Sequence, residues 1–162
     1  MRIDQHPDLM RDDYDGILDV ARRMREWDRR EIYATRWSQE PEAIVADVQA
    51  GTGPSWVARY RGVAAAACGV IAVRPGVWAP WCFGTDDFPR VARLLTRLGK
   101  EAILPAVRNA GGHRLEVKSM DGHTDAHRWM ETCFGAEREG THPDYVRFEG
   151  ASLTYHTYVV RL

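Results

Sequence analysis

Apolar positions recur with a helical period in the first third of the chain, crowd into strand-like runs in the middle, and then alternate between the two patterns. From Asp12 to Met24 the residues Tyr14, Ile17, Leu18, Ala21 and Met24 mark one helix face. The pattern continues through Arg25–Ala34, where Trp27, Ile32 and Tyr33 stand among charges. Pro41 suits the first turn of a helix over Glu42–Val48, with Ser38 as its predicted cap. Strands are predicted at Ser55–Tyr60, Val63–Val73 and Val77–Phe83, joined by turns at Arg61–Gly62 and Pro75–Gly76. Val63–Val73 is apolar on both faces, which predicts a central position in the sheet. Phe88, Val91, Leu94, Leu95, Leu98 and Ala102 then keep the clearest helical spacing, with Asp86 or Asp87 as cap and Pro89 in the first turn. Pro105 should kink or end that helix. A strand over Arg114–Met120, a short helix over Asp125–Cys133 closed by Gly135, and strands near Tyr145–Phe148 and Leu153–Val160 complete the chain, and Met1–Gln5 reads as a short first strand. The result is an α/β (α+β) layout with antiparallel pairs ahead of one crossover. No linker or repeat interrupts it, so residues 1–162 read as a single domain.

Composition narrows the function. Twenty-two basic against 23 acidic residues leave a net charge of −1, which offers no broad field for nucleic acid or a membrane surface. The longest apolar stretch, Val63–Val73, is too short to span a bilayer, and the polar start of the chain does not resemble a secretory signal, so a cytoplasmic location is expected. Cys68, Cys82 and Cys133 match no zinc or haem spacing and read as buried, inert thiols. Cys82 has no adjacent histidine to make it a nucleophile. His123 and His127 stand four apart, as two metal ligands on a helix would, but no carboxylate follows in zinc-protease order.

Three short motifs carry a resemblance. The run Arg25-Glu26-Trp27-Asp28-Arg29-Arg30-Glu31-Ile32, the pair Pro80-Trp81 followed by Gly84-Thr85-Asp86, and Ala126-His127-Arg128-Trp129-Met130 ending in Phe134-Gly135-Ala136 resemble the internal virion protein A family of short-tailed phages, which is GNAT-like. The segment from Arg128 to Ala136 also resembles the last conserved motif of GNAT acetyltransferases, and the order of elements is that of the GNAT fold. The resemblance implies a mixed, largely antiparallel sheet flanked by helices. It further implies acetyl-CoA as cofactor and an amine as acceptor or, if catalysis has been lost, phage or host proteins as partners. A phage-encoded chain would lie in the host cytoplasm or in the virion.

In GNAT enzymes a glycine-containing turn after the fourth strand binds the cofactor's diphosphate through backbone amides. The equivalent here is Phe83-Gly84-Thr85, with Arg90 and Arg93 one turn further on. The turn has one glycine, and Asp86 and Asp87 stand where phosphate would meet the amides. Asp28 and Glu31, three apart and so on one helix face, are candidate acid–base groups. A solvated face paired with Arg25, Arg29 and Arg30 would use the same spacing. Glu116 is a further candidate base, although its alternation with Leu115 and Val117 also fits simple exposure. The tyrosine that many GNAT enzymes use as general acid has no counterpart between Asp125 and Phe134. The phage family tends to carry Asn where His123 stands, which implies a hydrogen-bonding role there. Most of the large aromatics read as core, while those on the Val77–Phe83 strand are placed either there or along a groove where the sheet splays.

Overall fold

The computed structural model describes residues 2–162. Its sheet has seven strands: β1 (Leu9–Arg11), β2 (Ser55–Tyr60), β3 (Val63–Arg74), β4 (Val77–Gly84), β5 (Arg114–Met120), β6 (Glu137–Phe148) and β7 (Ala151–Arg161). They lie in the order β1-β2-β3-β4-β5-β7-β6, and every neighbouring pair is antiparallel except β4 with β5. Helices α1 (Tyr14–Arg22), α2 (Glu26–Ala34) and α3 (Pro41–Ala50) precede β2. Between β4 and β5 run α4 (Phe88–Leu98), a π-helical turn (Gly99–Ile103) and α5 (Leu104–Asn109), and α6 (Thr124–Phe134) joins β5 to β6. The expected mixed, largely antiparallel GNAT-like sheet flanked by helices is what the chain forms.

Small side chains on the central strand let helices approach from both sides. Ala64 and Ala67 of β3 pack with Ile17, Val20 and Ala21 of α1, whereas Ala66 and Cys68 pack with Val91, Leu95 and Leu98 of α4. Arg61 and Gly62 both have positive φ, as do Glu149 and Gly150, so each two-residue hairpin turn twists with its strands.

Several sequence-based boundaries shift. Ile3–Gln5 forms a 3-10 turn, closed by the His6 N–H on the Ile3 carbonyl, and the first strand begins only at Leu9. Glu40 rather than Ser38 occupies the cap of α3. Asp87 takes the cap position of α4, but its carboxylate makes no capping bond, and Thr85 Oγ1 accepts the Asp87 N–H instead. Pro105 falls in the first turn of a new helical segment: α4 ends at Leu98 and the chain passes through the π turn before α5 begins at Leu104. Strand β6 begins eight residues before its predicted start, because its polar first half pairs along an edge interrupted by a bulge between His142 and Val146, where Pro143 is tolerated.

Strands β4 and β5 pair only at Val77–Arg114 and Trp78–Leu115. Beyond those pairs they part, while β3 stays paired to β4 and β7 stays paired to β5 along their lengths. Pro80, which has no N–H to give a neighbouring strand, falls just past the last pair. The sheet is therefore split from Ala79 to Gly84.

The helix stripe that closes the α4 face should dominate stability. Leu98 is fully buried, so Leu98→Ala is expected to cost about 3 kcal/mol in urea unfolding. Trp37 is wholly exposed, and Trp37→Ala should change stability by less than about 0.5 kcal/mol.

Candidate active site

Helix α2 bridges the two arms of the split. Its N-terminal side docks on the end of β4: the Arg25 N–H donates to the Gly84 carbonyl (2.9 Å), and the Gly84 N–H donates to Asp28 Oδ2 (2.7 Å). One turn on, Glu31 Oε1 accepts from Ser119 Oγ (2.6 Å) and the Met120 N–H (2.5 Å) at the end of β5. The Tyr155 hydroxyl of β7 donates to the Glu31 backbone carbonyl at 2.7 Å. The i, i+3 spacing that puts Asp28 and Glu31 on one face thus delivers one carboxylate to each diverging strand.

His123, buried at the start of α6, lies between them. Its Nδ1 is 3.2 Å from Glu31 Oε2 and its Nε2 is 3.5 Å from Asp28 Oδ1, and its ring stacks on Trp27 with centroids 5.6 Å apart. Burial pushes the Asp28 carboxyl above its usual range, although the Arg25 Nε–H at 2.8 Å and the Gly84 N–H pull the other way. Burial acts on Glu31 in the same sense, but His123, Ser119 and the Met120 amide outweigh it and hold that carboxylate below its usual value. An ionised Glu31 accepts the His123 Nδ1–H, and Nε2 of the same ring faces Asp28. Behind this cluster, His127 Nε2 meets Ser119 Oγ at 3.1 Å, and burial keeps that imidazole neutral by lowering its pKa.

A cavity opens on each face of the sheet, and the two meet at the split. One, of about 390 Å³, lies under α4 and α6, with Leu95, Cys82, Val117, Ala126, Trp129 and Met130 among its walls and Asp28, Glu31 and His123 at one end. The other, of about 440 Å³, lies on the α2–α3 face against Ile44, Val48, Tyr145 and Tyr155. Glu31, Pro80, Trp81, Cys82, Val117 and Lys118 line both. These volumes suit small-molecule sites. Of the two tryptophans on that strand, Trp81 lines both cavities, whereas Trp78 packs against Val70, Val107 and Leu115 and lines neither.

Of the remaining sequence candidates, Glu116 lines neither cavity. Burial would raise its pKa, but the guanidiniums of Arg114 and Arg74, each 3.0 Å from Oε2, hold it ionised below the usual range. Phe83 packs against Trp81 on the α2–α3 side and lines the second cavity. Gly84, Thr85, Arg90 and Arg93 line neither cavity; Arg90 is exposed and sits 5.9 Å from the Tyr60 ring. In the β4–α4 loop the Thr85 N–H donates to the Ala65 carbonyl, the Asp87 N–H to Thr85 Oγ1, and the Phe88 N–H to the Thr85 carbonyl. Within the described residues only the Asp86 amide of residues 84–88 has no protein partner. The apolar groove fits an extended thioester arm, whereas this loop does not fit a diphosphate.

The sequence reading missed Ser119 and Lys118, and weighed His127 only as a metal ligand and as part of a motif. A serine and a lysine on one strand carry no periodic signal, and their importance lies in what β7, α2 and α6 bring to them.

No family model matches the sequence, and no curated protein matches it. Solved structures do match its fold. The GNAT-family acetyltransferase from Bacillus anthracis superimposes with a TM-score of 0.69 at 10% identity, covering 95% of each chain. yncA from Salmonella typhimurium, solved with its cofactor acetyl-CoA, gives 0.71 at 14% identity over 95% of this chain and 92% of that one. The ribosomal-protein-S18-alanine N-acetyltransferase from Escherichia coli gives 0.69 at 12%, over 94% and 93%. The chain has the GNAT fold. At such identities the likeness establishes the architecture and nothing about substrate.

Losing the Glu31 carboxylate should loosen β5 from α2. Because its folded pKa lies below the ordinary 4.5, its stabilisation is present above that pH and fades as pH falls through the lower folded value. Glu31→Gln should therefore cost roughly 1–3 kcal/mol at pH 7 and markedly less near pH 3, read by urea unfolding at both pH values.

Proposed function

We propose that the protein is a GNAT-type N-acetyltransferase that moves an acetyl group from acetyl-CoA to an amine. The observation that carries this reading is the split between β4 and β5, where two cavities on opposite faces meet beside a buried carboxylate–histidine cluster. A donor and an acceptor entering from opposite faces would meet in line there, which removes much of the entropic cost of a two-substrate reaction. Acetyl-CoA, when bound, would supply an acyl group activated as a thioester.

The chain's own groups suit the remaining task. An amine reaches a protein as ammonium and must lose a proton before its lone pair can attack. Ionised Glu31 faces both cavities and would draw the ammonium in. His123, held between Glu31 and the buried Asp28 carboxyl, would take the proton. Walls such as Cys82, Val117 and Trp129 would keep water away while this happens.

A second reading is favoured by the β4–α4 loop, whose amides are satisfied internally: a GNAT-fold scaffold without catalysis, acting in virion structure or host contact. The resemblance of the three motifs to the phage family supports that reading. Stoichiometric copies in purified virions, counted by mass spectrometry, would favour the scaffold.

For the enzyme reading, calorimetry should show saturable acetyl-CoA binding that Ala126→Trp, which fills the groove, abolishes without unfolding the protein. Thiol release across a panel of amines should fall about 100-fold in Glu31→Gln and His123→Ala. Absence of any saturation at millimolar acetyl-CoA would contradict the reading.

A further inference from the structure

We infer that the site reads only the pantetheine arm of its donor, because Asp28 already fills the anion position at the end of β4. The inference rests on the acetyltransferase reading above and concerns how that donor is held.

A diphosphate bound after a strand needs free backbone amides, a helix N-terminus with open donors, or a guanidinium within reach. Here the donors that face the end of β4 are engaged, and what stays open is the Asp86 amide and the exposed Arg90 and Arg93 on the outer side of the loop. The Gly84 amide points at Asp28 Oδ2 from 2.7 Å, deep in the protein, where Asp28 is 2% exposed. The Arg25 Nε–H meets the same oxygen at 2.8 Å. Its guanidinium also lies over the Phe88 ring at 4.3 Å, so it is fixed against the first residue of α4. At the helix start the Phe88 and Arg90 amides bond back to Thr85 and Asp87, and Pro89 has no N–H at all. A carboxylate of the protein thus takes the amide and the cation that a ligand's phosphate would use.

The exposed side of the loop points the same way. Asp86 and Asp87 are both exposed beside the one amide still free, and their charges would repel a diphosphate placed there. Gly84 is packed closely here, since a Cβ on it would lie 2.6 Å from the Phe88 ring and 3.0 Å from the Ala65 carbonyl.

What remains for recognition is the groove itself, apolar along most of its length and open to the split. It would accept an acylated pantetheine arm whatever that arm is attached to. The donor class is therefore pantetheine thioesters in general, with acetyl-CoA as one member.

The test compares acetyl-CoA with S-acetylpantetheine on the intact protein by isothermal titration calorimetry. The two should bind with Kd values within about threefold, and acetyl-CoA affinity should change by less than about twofold between low and high salt. Acetyl-CoA binding more than about 30-fold tighter, with a steep salt dependence, would overturn the inference and leave the acetyltransferase reading intact. Failure of both ligands to bind would overturn both. Asp28→Ala, which frees the Gly84 amide and Arg25, should shift the ratio at least about fivefold toward acetyl-CoA. An unchanged ratio in a folded variant would overturn the assignment to Asp28, and if that variant does not fold, the wild-type comparison decides.

Discussion

One turn of α2 holds the two diverging strands in place. Asp28 accepts the last amide of β4, Glu31 accepts an amide and a hydroxyl from the end of β5, and His123 sits between the two carboxylates. Strand pairing alone would not preserve this geometry, because β4 and β5 share only two residue pairs and leave the rest of their facing edges without ladder bonds. Two buried carboxylates are a costly way to brace a sheet unless every lone pair is answered. Here backbone amides, a guanidinium, a hydroxyl and an imidazole answer them. The same groups that stabilise the opening are therefore the polar groups inside it, so structure and candidate chemistry depend on one network.

The rest of the fold makes that network possible. The alanine-rich β3 lets α1 and α4 pack closely on opposite faces, and α1 in turn delivers the Arg25 turn to the end of β4. On the far side, Met120 and Tyr155 are buried across the β5–β7 ladder, which fixes the strand that Glu31 grips. Trp27, 44% exposed, shields the His123 ring by stacking on it. Water is thus excluded from the imidazole by α2, the same helix that supplies its carboxylate partners.

Much of the architecture was legible because it is local. The helical period from Phe88 to Leu98, the hairpin at Arg61–Gly62 and the two-sided apolarity of Val63–Val73 each follow from contacts within a few residues or from burial on both faces. The site was legible only in part. Spacing put Asp28 and Glu31 on one face, but not whether that face was solvated, since the groups that bury it lie 56 to 92 residues away. Glu116, read from the sequence as either a base or an exposed residue, shows the complementary gap. Alternation gives the face of a strand residue but not its lateral neighbours, and Arg74 and Arg114 are what turn it into a surface ion pair. The polar half of β6 carried no hydrophobic period at all, because an edge strand can be held by backbone pairing to β7 alone.

The most direct test of the account is an amide-resolved NMR titration with acetyl-CoA. Resonances along the groove, notably Cys82, Val117 and Ala126, should move saturably, while the Gly84 and Met120 amides keep their positions because Asp28 and Glu31 continue to hold them. Groove resonances that do not respond, or shifts led by residues 84–88, would contradict it.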